Sequence, residues 1–362
     1  MMYAVDIGKE LKPNMHGGDI YRNQVNIDFS VNVNPLGMPE TVRRALTKAV
    51  DECTAYPDLY AEELRSSLAN ATGVASGHII CGNGASELFL AVVHGLKPRK
   101  VILPVPSFYG YEHALAAGGV TPVFYPLQEK HGYAVTADLC PILTAGVDML
   151  FLANPNNPTG QCVEEAVLTR ILDTAAKNGI CVILDECFFP LTGKSDSVAE
   201  RLKEYPNLVV IRAFTKTFAI PGVRLGYSLC ANEEWNRLIR MQLSEWNVSI
   251  PAQRAGVAAC GEEAYISRAV TLIEKERSFL TEELSRMGIR VYPSDSNFLL
   301  CKSSMPLYEE LLKKGILIRD CSSFRGLEGN GYYRIAVRAR TENEILLAAI
   351  KEIVSEKNPS HY

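Results

Sequence analysis

The sequence predicts an α/β protein, with a mostly parallel, doubly wound sheet in a large domain followed by a smaller α+β domain. Three observations carry this. Short apolar runs, among them KVIL, DMLFL, ICVIL and NLVVI, alternate with amphipathic stretches of helical length, the pattern of strands laid parallel with crossover helices. ICVIL ends abruptly in Asp185-Glu186, and a carboxylate at the tip of so apolar a strand belongs to a site rather than to packing, because unpaired buried charge is costly. From about Glu262 the texture changes to a long charged helix and short strands. The boundaries expected are an N-terminal arm with part of the small domain over 1–45, the large domain over 46–258 and the small domain over 259–362.

The first forty residues hold two irregular stretches, MHGGDI (Met15 to Ile20) and IDFSVNVNPLG (Ile27 to Gly37). His16 beside Gly17 and Gly18 reads as an anion-sensing loop or as a flexible turn of an arm. Pro39 to Cys53 has the apolar spacing of a helix, with Val42, Ala45, Leu46, Ala49 and Val50. Tyr56-Pro57-Asp58 interrupts it, and Leu59 to Thr72 resumes as a helix closed by Gly73. Tyr56 by itself is a half-buried loop aromatic.

HIICGNG (His78 to Gly84) is an apolar strand running into a glycine turn, and Ser86 to Leu96 is the helix after it. Such a turn offers backbone N–H groups and a helix dipole to a phosphate, although two glycines alone carry little weight. Lys100 to Leu103 is a strand, and PVPSFYGY then holds aromatics in a loop, where Phe108 suits either core packing or the face of a flat ring. Asp148 to Leu152 leads into NPNNPTG (Asn154 to Gly160), a rigid loop that presents its Asn amides rather than packing them.

The chain is organised around IRAFTKTFAIPGVRLGY (Ile211 to Tyr227). Lys216 follows a buried strand and so sits at the sheet edge, where open α/β sheets bind ligands. Thr215 and Thr217 flank it, and Arg224 offers a forked set of donors suited to phosphate. An amine, a hydroxyl and a guanidinium converging on an anion point to a phosphorylated aldehyde held as a Schiff base, with pyridoxal 5'-phosphate (PLP) the obvious candidate. Taken alone, the window reads equally well as a surface loop. In the last lobe, Arg334 and Arg338 have the even spacing that puts both on one face of a strand, either as solvated edge charges or as a grip on anionic groups.

Composition narrows the classes. The 362 residues are 47% hydrophobic and 22% charged with a formal net charge of -4, which gives no basis for a nucleic-acid surface. No leader pattern and no run of about eighteen apolar residues is present, so the expectation is a cytoplasmic protein without a membrane partner. Ten cysteines without metal-ligand spacing read as buried small hydrophobes, with neither disulfide nor structural zinc expected.

Together NPNNPTG, the strand ending in LDE, and TKTF…PGVRLGY resemble the fold-type I PLP enzymes over nearly the whole chain, in the branch holding histidinol-phosphate aminotransferases and threonine-phosphate decarboxylases. The resemblance implies the PLP-dependent transferase-like fold and a homodimer with shared active sites. Lys216 would bind the cofactor covalently and shuttle protons, and Asp185 would hold the pyridine nitrogen protonated. Asn157 would donate to the ring O3′, and Phe108 would stack on the ring. Gly84, Ala85, Ser86, Thr215 and Arg224 would hold the phosphate, joined by Tyr56 of the neighbouring subunit. Arg334 would grip the substrate's anionic end with Arg338 beside it, and His16, Asn32 and Asn157 are further substrate candidates.

Where many aminotransferases have a tyrosine three residues after the aspartate, this chain has Phe188, which leaves one hydrogen-bond donor fewer at O3′ and is similar to the decarboxylase side. MHGGDI with DFSVNVNPLG resembles the decarboxylase N-terminus. The implied reaction is decarboxylation of L-threonine O-3-phosphate to (R)-1-amino-2-propanol phosphate for cobalamin biosynthesis. The alternatives are a histidinol-phosphate aminotransferase of histidine biosynthesis or a related class I/II aminotransferase, and a PLP-binding domain kept for regulation or partner binding without catalysis.

Overall fold

The computed structural model describes residues 17–195, 197–329 and 331–357. The strands among them are β1 (Ile27–Asp28), β2 (Ile79–Gly82), β3 (Val101–Val105), β4 (Val123–Pro126), β5 (Met149–Ala153), β6 (Cys181–Asp185), β7 (Leu208–Ala213) and β8 (Gly226–Leu229). Five more follow: β9 (Arg290–Val291), β10 (Phe298–Lys302), β11 (Ile316–Leu317), β12 (Arg319–Asp320) and β13 (Tyr332–Ala336).

The large sheet has seven strands in the order β2-β8-β7-β6-β5-β3-β4, parallel from β7 through β4. Its central strands are buried on both faces, which is why their sequences are apolar throughout rather than alternating. Leu150, Leu152, Val182, Leu184, Leu208 and Val210 face one layer of core. Met149, Phe151, Cys181, Ile183, Val209 and Ile211 face the other. Each such side chain removed from water contributes roughly 1.5–3 kcal/mol before conformational entropy is counted.

The strand β8 was not foreseen. Gly226-Tyr227-Ser228-Leu229 reads as the tail of the Lys216 loop, yet it returns antiparallel between β7 and β2. Its first residue explains the glycine: a Cβ on Gly226 would come within 2.8 Å of the Ala85 nitrogen, so only glycine lets β8 pass under the start of the helix Ala85–Leu96.

The second sheet, β12-β13-β10-β9, is antiparallel, and the helices Glu263–Arg286 and Arg340–Lys357 contribute Leu280, Leu284, Leu346, Ile350 and Ile353 to the core it shares. The N-terminal segment joins this lobe. β1 pairs in parallel with β11, and Phe29 is fully buried in the same cluster. The chain then runs back across the gap to the large sheet, where the Asn34 N–H donates to the Lys216 carbonyl (3.0 Å) and Asn34 Nδ2 donates to the Thr217 carbonyl (2.9 Å). Ser30 to Asn34 therefore spans the two sheets over the place where their edges meet.

Among the described residues, no helix is long and apolar enough to cross a membrane. None of the ten cysteines is in a disulfide; seven are buried as expected, whereas Cys53 is exposed and Cys162 and Cys260 are half-buried.

Candidate active site

The ladder aligns the working residues. Ala153 is opposite Asp185 and Asp185 opposite Ile211, so β5, β6 and β7 end level with one another. The chain leaves them as Asn154 to Gly160, as Asp185-Glu186 and as the short helix Phe214–Thr217, placing Asn157, Asp185 and Lys216 along one carboxyl edge. They line one cavity of about 250 Å³, together with Ala85, Ser86, Phe108, Thr215, Arg224, Asn32 and Arg334.

At one end the cavity is built for an anion. The helix Ala85–Leu96 presents its first N–H groups, which have no intrahelical acceptor. Gly84, just before it, adopts φ 82 and ψ 166, a conformation essentially restricted to glycine, and a Cβ there would stand 2.5 Å from Arg224 Nη2. The glycine thus makes room for the guanidinium against the helix start. Arg224 is itself held at φ 59, with Nη1 donating to the Pro221 carbonyl at 3.2 Å.

Lys216 is half-buried among cations. Burial, and then the charges of Arg334 and Arg224, push its ammonium down to about 8 from an ordinary 10.5. Its Nζ lies 5.9 Å from the centre of the Phe188 ring. The amine is therefore available as a neutral nucleophile from about pH 8, well below the range of an ordinary lysine. Between about 8 and 10.5 an unfolded chain would hold a proton that the folded chain has released, so this lysine's penalty on the cofactor-free fold is full below 8 and fades as pH rises. The rate at which cofactor-free protein attaches an added aldehyde cofactor should rise with pH and level off just above 8. Absorbance-monitored mixing across that range checks it, and a rate still climbing steeply near 10 would contradict the cation-crowded setting.

Asp185 is fixed at both oxygens. Oδ1 accepts the Cys187 N–H at 2.8 Å and Oδ2 accepts the Tyr111 hydroxyl at 2.5 Å. Burial raises its carboxyl above the ordinary range, and the Cys187 thiol, the Tyr111 hydroxyl and the Cys187 N–H only partly oppose that rise. A cationic partner is what such a carboxylate lacks. Phe108 forms a wall of the cavity and meets Tyr111 edge-on, with ring centres 5.6 Å apart.

Asn157 Oδ1 accepts from Arg334 Nη1 at 2.5 Å, which leaves the Asn157 amide NH₂ as a donor. Arg334 is 7% exposed, gives Nη2 to the Ser30 carbonyl at 2.6 Å and keeps a buried Nε without a protein partner. Asn32 likewise has a buried Oδ1 without a partner, while its own carbonyl accepts from Asn297 Nδ2 at 3.1 Å. Buried polar atoms without partners at a cavity wall are what a polar ligand would satisfy.

Three expected residues stand apart. Arg338 does not join Arg334: β13 ends at Ala336, two residues earlier, and Arg338 pairs with Glu342 (2.7 Å) and the Asp28 carbonyl (3.1 Å) outside the cavity lining. Even spacing does not hold a shared face once the strand has stopped. The second cation is Arg319, which the sequence reading missed. Arg319 lies directly opposite Arg334 in the β12–β13 ladder, is 4% exposed and lines the cavity. The signal was present in ILIRD, a charge closing a short apolar run, as in ICVILD. Tyr56 is 78% exposed and lies against Trp246 at a tilt, 4.7 Å between ring centres, outside its own chain's cavity lining. His16 lies outside the described residues, and its neighbour Gly17 reaches the cavity wall.

The family model "Aminotransferase class I and II" matches residues 24–353. The chain belongs to this family. Class I and II aminotransferases and their relatives use PLP, and PLP is the cofactor here. The chain is 36% identical to threonine-phosphate decarboxylase of Salmonella typhimurium over 92% of this chain and 93% of that one. It is 33% identical to a histidinol-phosphate aminotransferase of Caldanaerobacter subterraneus, over 90% and 93%. The solved histidinol-phosphate aminotransferase of Clostridium acetobutylicum superposes with TM-score 0.85 at 32% identity, covering 91% of this chain and 99% of that one.

The cavity fits this cofactor. The glycine-opened helix start with Arg224 suits its phosphate, Lys216 its aldehyde, Phe108 a ring face and the carboxylate of Asp185 its ring nitrogen.

Proposed function

We propose that this PLP-dependent enzyme decarboxylates L-threonine O-3-phosphate to (R)-1-amino-2-propanol phosphate, the amino alcohol phosphate of cobalamin biosynthesis. One observation carries the reading: Arg319 and Arg334 lie side by side on the small sheet, both buried and both at the cavity wall. Two desolvated guanidinium groups are costly unless anionic groups meet them, and threonine phosphate brings two, a carboxylate and a phosphate. Burial pulls both below their ordinary values, Arg334 to about 10, and Arg319 Nη2 also donates to Ser323 Oγ at 2.8 Å.

Bound PLP supplies an electron sink conjugated to the substrate's Cα. Arg334 and Arg319 bind the anionic ends and so orient the bond to be broken. Asp185 holds the ring-nitrogen proton. Asn157, oriented by Arg334, donates to the ring hydroxyl oxygen. Lys216 Nζ, released near pH 8, carries the proton returned to Cα. Phe188 packs edge-on to Phe298 (5.0 Å) and contributes no hydroxyl there.

The enzyme works as a homodimer in this reading, with exposed Tyr56 reaching the phosphate in the other subunit. Ten cysteines outside any disulfide fit a reducing cytoplasm.

Transamination of histidinol phosphate is the second reading, favoured by the similarity to the Clostridium acetobutylicum enzyme. Holoenzyme mixed with L-threonine phosphate should release carbon dioxide and the amine. Glutamate formed from histidinol phosphate plus 2-oxoglutarate, without carbon dioxide from the first mixture, would replace the decarboxylase with the aminotransferase.

A further inference from the structure

Tyr111 has no part in the chemistry described above, yet its setting is unusually constrained. It is 2% exposed, and its ring is enclosed by Phe89, Phe108 and Phe151 at centre distances of 5.0, 5.6 and 5.4 Å. The hydroxyl emerges from this apolar box at one point and meets Asp185 Oδ2 at 2.5 Å. A buried phenol needs a partner, and three packed aromatic rings leave this one no room to swing elsewhere.

We propose that Tyr111 is a positioning residue for the cofactor's ring nitrogen: by donating its O–H to Asp185 it keeps that carboxylate ionised and the proton on the ring. The inference rests on the reading of Asp185 as the ring-nitrogen partner.

The physical problem is a proton shared in a buried pair. A pyridinium facing a carboxylate is an ion pair, and the same proton placed on the carboxylate gives a neutral pair. Burial favours the neutral arrangement. Donors to the carboxylate favour the charged one, because they stabilise the ionised form. Asp185 has the Cys187 N–H on Oδ1 and the Tyr111 hydroxyl on Oδ2, with the Cys187 thiol a further donor, and a carboxylate has a lone pair left for the ring. Of these, the hydroxyl can be removed while the ring that carries it stays packed. It acts in one direction only, since burial and the neighbouring carboxylate push the Tyr111 phenol well above its ordinary range and the proton stays on it. Removing a hydrogen bond to a charged group moves such a balance by roughly 10- to 100-fold. A ring left partly unprotonated is the weaker electron sink.

The test uses holoenzyme reconstituted with PLP labelled with ¹⁵N in the ring, and reads the nitrogen chemical shift by NMR. Tyr111→Phe keeps the packed ring and loses only the hydroxyl. Its shift should move from the pyridinium value of the native protein toward that of neutral pyridine. Asp185→Asn should move it fully, and adding Tyr111→Phe to Asp185→Asn should move it no further. A pyridinium shift retained in Tyr111→Phe, with Asp185→Asn displaced, overturns the role of Tyr111 and leaves Asp185 standing. A pyridinium shift retained in both overturns the reading of Asp185 and this inference with it.

Discussion

Lys216→Ala should abolish turnover, with a loss on the order of 10⁴-fold or more, since it removes the nucleophilic amine and the proton carrier together. The loss should be chemical rather than structural. The phosphate end of the cavity is built by Gly84, the helix Ala85–Leu96 and Arg224, none of which depends on the lysine amine, so the variant should still bind PLP, without covalent attachment. Removing a half-buried amine crowded by Arg334 and Arg224 also relieves repulsion, so the cofactor-free variant should unfold no more easily than the native protein below pH 8. Three readouts separate these effects: turnover, the absorbance band of the attached cofactor and the denaturation midpoint. Turnover within tenfold of native would end the catalytic assignment and favour a PLP-binding domain that has another role.

Glu186→Gln should destabilise the fold by about 3–5 kcal/mol, because it leaves a buried guanidinium without its counter-charge. Glu186 is fully buried, and its Oε2 accepts from Arg212 Nε (3.0 Å), Arg212 Nη2 (2.7 Å) and Ser197 Oγ (2.8 Å). Burial by itself would lower the Arg212 guanidinium, yet Glu186 and Tyr227 together hold it above its ordinary value. The pair ties the residue after Asp185 to the strand that delivers Lys216, so its geometry sets the distance between the two. Replacing both partners by leucine should cost less than Glu186→Gln, since no uncompensated charge remains. Denaturant titration of the cofactor-free proteins measures both, and a double variant at least as unstable as the single one would show that packing rather than charge dominates there.

Much of this was legible in the chain because the signals are local. An apolar strand closed by a carboxylate needs only its own sequence to be recognised, and Lys216 between two threonines after a buried run is of the same kind. The glycine turn before Ala85 and the amide-rich Asn154 to Gly160 loop were equally visible. The doubly wound sheet followed from continuous apolar runs alternating with amphipathic ones.

What the sequence left open depends on contacts between distant segments. Arg338 looked like the partner of Arg334 because two residues on a strand share a face by period two. The strand's end is set by pairing with β10 and β12, and it falls before Arg338. Arg319 is 15 positions from Arg334 in the chain and opposite it in the ladder, a neighbour that only register can create. Tyr111 reaches Asp185 across 74 positions, and β8 is a strand because two others offer it edges. The sequence by itself determined which residues can do chemistry and on which edge of the sheet they emerge, since strand periodicity and buried charge are properties of short stretches. The tertiary structure alone decided which cations converge on the cavity and what holds Asp185, because those are distances, and distances belong to the packed chain.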